Sequence, residues 1–164
     1  MKIVNCTKED IEIIFSLYDA AIAFQKTVFD KHWLGFDEAM VENEINENRQ
    51  YKIMIGNTVV CIFVLAFNGP YIWGEKDKNP SVYIHRIVTH PQHRGNGYVK
   101  NITAWALEYG RSNGKKFVRM DTWGDNQKLI DYYTACGFTF LGLTGKLYNS
   151  RLPKHYEGIQ LSLF

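Results

Sequence analysis

Hydrophobic and polar positions repeat with a helical period in some parts of the chain and form short apolar runs in others. Helical spacing predicts helices over residues 11–22, 99–109 and 126–136, and a Glu-rich segment over residues 37–48 predicts a further helix with one solvated face. Apolar runs predict strands at residues 2–5, 51–55, 58–67, 82–89, 116–123, 138–143 and 158–164, with a long polar loop at residues 68–80. Strands that alternate with helices predict an α/β fold, a mixed sheet with helices on both faces. With 164 residues, 46% of them hydrophobic, we expect one domain over residues 1–164.

A glycine turn joins the strand predicted at residues 82–89 to the helix that follows it. Gly95 and Gly97 allow positive φ and leave no side chain between the backbone amides and a ligand. The N-terminus of the following helix adds a partial positive charge, and Arg94 adds forked donors. These features predict a phosphate-binding loop, and the alternative is an ordinary strand-to-helix turn with a solvated arginine.

A second motif follows the strand predicted at residues 116–123. Leu129, Ile130 and Tyr133 share one helix face, Asn126 or the preceding aspartate can cap the start, and Gly137 can end the helix in the left-handed conformation. The pattern predicts a short capped helix whose buried face includes a tyrosine.

Together the two motifs resemble the GNAT superfamily of acyl-CoA-dependent N-acetyltransferases. The family's pyrophosphate motif, Q/R-x-x-G-x-G/A, and its downstream segment, N-x6-Y-x3-G-F, are matched by Gln92, Gly95 and Gly97 and by Asn126, Tyr133, Gly137 and Phe138. The resemblance covers about residues 81 to 140. It implies the acyl-CoA N-acyltransferase fold, in which a mostly antiparallel central sheet splays between its fourth and fifth strands.

The resemblance also implies the donor and the reaction. Acetyl-CoA would be the donor substrate, with no metal, and its acetyl group would pass to a primary amine by direct attack in a ternary complex. The implied donor residues are Ile87, Val88, Thr89, Gln92, Arg94, Gly95, Asn96, Gly97, Tyr98, Val99, Asn126 and Tyr133. Tyr98 and Val99 stand where smaller residues are common in the family, so we expect a pyrophosphate pocket of different shape.

Two residues are candidates for acid–base chemistry. Tyr133 matches the family's tyrosine that protonates the leaving CoA sulfur, with Tyr132 as the competing assignment and core packing as the plain alternative. His85 is the leading general base, because an unperturbed imidazole pKa of about 6.5 suits amine deprotonation. The glutamate that many family members carry on this strand is absent, so His85 can equally be a packed core histidine. Weaker candidate bases are Glu75, Asp77 and Asp121.

Charge and cysteine content bear on partners and location. The chain has 19 Lys and Arg against 17 Asp and Glu, a net charge of +2, with no basic stripe that would track a nucleic acid. Cys6, Cys61 and Cys136 are widely spaced, odd in number and in apolar contexts, which argues against a disulfide or zinc framework. We see no secretory signal pattern and no apolar run long enough to cross a membrane. We therefore expect a cytoplasmic protein without nucleic-acid or membrane partners.

The sequence does not specify the acceptor or the assembly state. Family members bind acceptors near the first two helices and near the split strands, and the matching regions contain His32, Trp33, Phe36, Tyr71, Trp73 and Glu75. Both a small-molecule amine and a protein amine are compatible with these residues as the acceptor. A homodimer is compatible with the sequence as the assembly state. The alternative function is a non-catalytic acyl-CoA-binding sensor or interaction module on the same fold. A dinucleotide-binding domain has little support, because the three-glycine spacing and the P-loop ending are absent.

Overall fold

A computed structural model describes all 164 residues of the chain. The α-helices are α1 (Ile11–Val28), α2 (Glu38–Asn46), α3 (Pro70–Trp73), α4 (Tyr98–Ser112) and α5 (Gln127–Ala135). The strands are β1 (Lys2–Asn5), β2 (Gln50–Ile55), β3 (Thr58–Ala66), β4 (Ser81–Thr89), β5 (Phe117–Arg119), β6 (Asp121–Trp123), β7 (Gly142–Leu143) and β8 (Leu161–Leu163). No helix combines the length and the apolar character needed to cross a membrane.

The strands form two sheets, and together with the helices they confirm the predicted mixed α/β fold. The first sheet has the order β1-β2-β3-β4-β5, in which β1, β2 and β3 are antiparallel neighbours and β4 and β5 are parallel. The parallel ladder runs only from the pair Ser81 and Phe117 to the pair Tyr83 and Arg119. Beyond Met120 the chain continues as β6 in a second, antiparallel sheet with the order β6-β8-β7. The strand predicted at residues 116–123 is therefore shared between two sheets.

Contacts group the chain into two compact units. Unit 1 comprises residues 1–65 and 86–98, and unit 2 comprises residues 66–85 and 99–164. The single domain expected from the sequence stays a prediction. In unit 1, α1 follows a capping box formed by Thr7 and Asp10. Helices α1 and α2 bury one apolar face against β3 and β4, in a cluster that contains Cys6, Ile14, Leu17, Tyr18, Val41, Ile45, Ile62 and Val88.

Unit 2 has its own core. Helix α4 approaches the β4–β5 pair at Gly110, where an added Cβ would lie 3.8 Å from Val82 and 3.9 Å from Val118. A second cluster joins α3 to β4 and to the C-terminal strands through Trp73, Tyr83, Ile159, Leu161 and Leu163. At the end of α5, Gly137 has φ of +103°, which is the left-handed conformation predicted there.

Three segments differ from the sequence expectation. The loop predicted at residues 68–80 folds into α3 and a 3-10 helix, Gly74–Lys78, because Asp77 accepts a hydrogen bond of 2.8 Å from the Gly69 amide. The strands predicted at residues 138–143 and 158–164 are reduced to β7 and β8. The two segments still form backbone hydrogen bonds with each other outside the regular ladder, such as the 2.8 Å bond from the Leu141 amide to the Leu163 carbonyl.

Candidate functional site

The glycine loop of unit 1 exposes its backbone. Gly95 has φ of +81° and Gly97 has φ of +70°, and an added Cβ at either position would meet no protein atom within 4 Å. Only backbone conformation, and not crowding by the protein, therefore selects glycine at these positions. The space beside the amides is open to a ligand. Both glycines and the intervening Asn96 are exposed.

Hydrogen bonds between residues close in sequence hold this loop in place. The His90 ring nitrogen accepts from the Gln92 amide at 3.2 Å, and the His93 amide donates to the His90 carbonyl at 2.8 Å. The side chain of Asn96 donates to the His93 carbonyl at 2.8 Å. The loop is thus ordered by its own residues, while the side chain of Gln92 remains exposed.

Helix α4 begins directly after Gly97. Amides in the first turn of a helix have no acceptor within the helix, and they carry the positive end of its dipole. The side chains of Tyr98 and Val99, which are larger than is common in the family, are both buried. The protein interior accommodates their bulk, so these residues can offer only backbone amides to a ligand at the exposed loop.

Arg94 lies on the surface against a ring of α1. Its guanidinium carbon is 4.3 Å from the centroid of the Phe24 ring, within the range of a cation–π contact. Phe24 is itself partly exposed. The contact restrains a charged side chain beside the glycine loop.

Two side chains at the end of β4 have partners within unit 1. Val88 is part of the unit 1 core, and the Thr89 hydroxyl lies 3.6 Å from the sulfur of Cys61. Ile87 is half-buried. Just before these residues, Arg86 has φ of +49°, which interrupts the extended conformation of the strand. A left-handed residue inside a strand is typical of a β-bulge.

Arg86 forms an ion pair with Glu44 of α2, which the sequence reasoning missed. The sequence predicts one solvated face for α2, and Glu44 does not lie on that face, because only 7% of its side chain is exposed. A signal was present in the sequence. Glu44 lies three residues after Val41 and one before Ile45, on the apolar face of the helix.

In unit 2, the two neighbouring tyrosines of α5 have different environments. Tyr132 is 46% exposed, whereas the Tyr133 ring packs against Phe138 and Phe164 with centroid distances of 6.4 and 5.5 Å. Burial, with smaller contributions from Tyr132 and Cys136, raises the pKa of Tyr133. Burial thus opposes ionisation of its phenol, which is protonated at neutral pH and can donate a hydrogen bond.

Asn126 caps α5. Its side-chain oxygen accepts from the Leu129 amide at 3.3 Å. This is the plain structural role that the sequence allowed, and the pantetheine contact implied by the resemblance stays a prediction.

His85 lies near a buried carboxyl. Burial raises the pKa of Asp121, and the nearby His85 and the Trp73 indole oppose that rise. The Oδ2 atom of Asp121 is buried and makes no well-aligned hydrogen bond. The His85 ring also stacks on Tyr83, at a centroid distance of 6.4 Å. The structure thus brings together the leading base candidate and one of the weaker ones.

The other two candidate bases, Asp77 and Glu75, contact other groups of unit 2. Asp77 accepts from the Tyr83 hydroxyl at 2.6 Å in addition to the Gly69 amide. Glu75 is highly exposed and forms an ion pair with Lys78. Both carboxylates are thus engaged by neighbouring groups of unit 2.

The residues considered for the acceptor fall into separate groups. In unit 1, Trp33 and Phe36 form an aromatic cluster with Tyr18, and the His32 ring nitrogen lies 2.7 Å from the Trp33 carbonyl. In unit 2, the Tyr71 hydroxyl is 2.5 Å from an Arg151 guanidinium nitrogen, and Trp73 belongs to the core. No group of three or more His, Cys, Asp and Glu side chains could hold a metal ion. All three cysteines are free and buried.

Comparison with known proteins identifies the class to which this fold belongs. The model of the acetyltransferase (GNAT) family matches residues 26–138, more than half of the chain. The chain therefore belongs to the acetyltransferase (GNAT) family, which confirms the resemblance seen in the two motifs.

Individual similarities are more distant. An uncharacterized N-acetyltransferase of Methanocaldococcus jannaschii is 24% identical over 143 residues, which cover 82% of this chain and 58% of that protein. A GNAT-family acetyltransferase from Listeria monocytogenes superposes with a TM-score of 0.77 at 18% identity, over 99% of this chain and 93% of that one. YncA from Salmonella typhimurium, solved with its cofactor acetyl-CoA, has a TM-score of 0.69 at 15% identity, over 99% and 91%. These structures establish the fold, and the chain spans little more than half of the curated relative.

Proposed function

We propose that this chain transfers an acetyl group from acetyl-CoA to a primary amine by direct attack in a ternary complex. The observation that carries the proposal is the exposed left-handed turn at Gly95 and Gly97, placed directly before the first amides of α4. The solved complex of YncA with acetyl-CoA supports the identity of the donor. No metal takes part in the proposed reaction.

The glycine loop would bind the pyrophosphate of the donor. Amides from Arg94 to Val99 would supply the donors, with the exposed Gln92 side chain beside them, and the open space beside Gly95 and Gly97 would admit the phosphate oxygens. Arg94, restrained by Phe24, adds a charge-assisted contact. Asn126 would contact the pantetheine arm, as its match to the family motif implies.

The end of β4 would polarise the thioester. Negative charge develops on the thioester oxygen as the amine attacks, and a backbone amide that is not used in the ladder can stabilise this charge. The left-handed conformation of Arg86 supports such a role for the amides of Ile87 and Val88, because a bulge frees strand amides from regular pairing. Thr89 would contribute backbone in the same way.

His85 would accept the amine proton. An alkyl ammonium with a pKa near ~10 is mostly protonated at neutral pH and cannot attack until it loses a proton. The neighbouring Asp121 supports this assignment, since a carboxyl beside an imidazole can fix its orientation and stabilise its charged form.

Tyr133 would assist the departure of the CoA sulfur. Its hydroxyl is protonated at neutral pH, as that of an ordinary tyrosine is, and could donate a hydrogen bond to the thiolate. Replacement by Phe removes that donor and keeps the ring that packs on Phe164. Tyr132→Phe, at the exposed neighbouring position, is the matched control.

An acetyl-CoA titration followed by a thiol-release assay tests the proposal. Calorimetric titration should show micromolar or tighter binding of acetyl-CoA and no response to NAD. A panel of small amines and peptides should then release free thiol in an acceptor-dependent manner, with a large loss of rate for Tyr133→Phe and little loss for Tyr132→Phe. A folded protein that does not bind acetyl-CoA would refute the proposal. Binding without turnover by any acceptor would favour the sensor alternative.

The acceptor in the proposed reaction would be a small-molecule amine or a protein amine.

The location belongs to the same proposal. The free cysteines and the composition support a cytoplasmic protein.

A further inference from the structure

Arg86 combines an unusual backbone with an unusual side-chain environment. Its φ of +49° lies in the left-handed region, which residues with a Cβ rarely adopt, and it occurs inside the extended strand β4. Such a conformation persists only when the surrounding structure enforces it. The side chain of Arg86 is itself closely surrounded.

Three groups, one each from α1, α2 and the segment between them, surround the guanidinium of Arg86. Glu44 of α2 accepts its hydrogen bond and forms the ion pair, and only 13% of the arginine side chain is exposed. The guanidinium carbon also lies 5.6 Å from the Tyr18 ring centroid and 5.0 Å from that of Phe36. We call Glu44, Tyr18 and Phe36 the Arg86 clamp.

Stabilisation of the fold does not account well for the Arg86 clamp. The second oxygen of Glu44, Oε2, and the Nη1 atom of Arg86 are buried without hydrogen-bond partners. A buried ion pair with unsatisfied atoms contributes little to stability, and apolar residues of similar size often replace such pairs without loss. The clamp lies, however, at a left-handed backbone position one residue before the amides of Ile87 and Val88.

We propose that Glu44 is a positioning residue for acyl transfer. It holds Arg86 in the left-handed conformation, so that the amides that follow Arg86 can donate to the thioester oxygen. This inference rests on the proposed function, in which the end of β4 polarises the thioester. Glu44 acts through Arg86 and does not touch the substrate.

Glycine at position 86 provides the test, because glycine adopts the left-handed conformation without help from a side chain. Two double variants both remove the ion pair: Glu44→Met with Arg86→Gly, and Glu44→Met with Arg86→Ala. They differ only in whether residue 86 accepts positive φ freely. If the clamp serves to hold φ, the glycine variant no longer needs it, whereas the alanine variant does.

The readout is the carbonyl ¹³C resonance of bound acetyl-CoA labelled at the carbonyl carbon, which reports hydrogen bonding to the thioester oxygen and requires no knowledge of the acceptor. We expect a downfield shift on binding to wild type, retained in the glycine variant and lost in the alanine variant. Calorimetry should give acetyl-CoA affinities within about threefold of wild type for both variants, because the glycine loop is intact, a difference of at most about 0.7 kcal/mol. If these variants do not fold, Glu44→Gln replaces Glu44→Met in both.

The outcomes separate this inference from the proposed function. Equal carbonyl shifts in the two double variants, whether retained or lost, would overturn the role of the clamp and leave acetyl-CoA binding in place. The absence of any downfield shift in wild type that binds acetyl-CoA would do the same. Failure of wild type to bind acetyl-CoA would overturn the proposed function, and the positioning role with it.

Discussion

Replacement of Gly97 by alanine isolates the contribution of the glycine loop, because the chain contains a matched control. Gly97 has φ of +70° and Gly56, in the turn between β2 and β3, has φ of +58°. An added Cβ meets no protein atom within 4 Å at either position. The two substitutions therefore impose a similar backbone cost and no steric clash, while only Gly97 lies in the proposed donor site.

The expected magnitudes differ between folding and binding. Alanine in the left-handed region costs about 1 kcal/mol relative to glycine, so each variant should lose about that much free energy of unfolding. For a chain of this size the melting temperature should fall by about 2–4 °C in both cases. At Gly97 the new methyl group also enters the space beside the amides, and we expect at least about a tenfold loss of acetyl-CoA affinity, or 1.4 kcal/mol.

Thermal unfolding and calorimetric titration with acetyl-CoA check the two expectations on the same samples. Gly56→Ala should match Gly97→Ala in stability and match wild type in affinity. Unchanged affinity in Gly97→Ala would refute the reasoning, since the loop would then play no part in donor binding. Equal losses of affinity in both variants would show that the effect comes from global destabilisation.

Three further predictions concern charges. Burial opposes ionisation of Asp10, but hydrogen bonds from Lys52 and Thr7 lower its pKa. Asp10→Asn should thus cost about 2 kcal/mol in urea unfolding at pH 7, a difference that fades as the pH falls below about 4. Asp121 has a raised pKa, so Asp121→Asn should stabilise the protein above about pH 4 and not below it, and a constant difference would contradict this. Phe24→Leu should weaken acetyl-CoA binding about two- to fivefold by titration, and have no effect in an Arg94→Gln background.

Elements with strong local signals were predictable from the sequence. β1 has the bounds expected of it, and α5 begins and ends at the cap and glycine that its sequence indicates. In these cases local hydrogen bonding and apolar periodicity favour the same structure, so tertiary contacts change little. One of the two motifs that resemble the family, from Asn126 to Phe138, lies at α5.

Elements that depend on distant partners were not predictable. The segment at residues 68–80 looks like a polar loop, yet Asp77 folds it by binding the Gly69 amide and the Tyr83 hydroxyl. Met120 likewise ends β5 because the chain leaves one sheet for another, and no local pattern marks that position. Both outcomes follow from pairings that a single segment does not encode.

The proposed site shows the same division in its chemistry. Gly95 and Gly97 would bind the ligand through backbone amides, which are exposed because glycine has no side chain. The sequence shows this requirement directly, since both residues are glycine. Glu44 and Arg86 would contribute through a pairing between α2 and β4 across 42 residues, and each looks alone like an ordinary charged residue. A sequence motif can therefore predict where a phosphate chain binds. The proposed positioning of the strand amides by Glu44 and Arg86 becomes visible only in the fold, which brings these two side chains together.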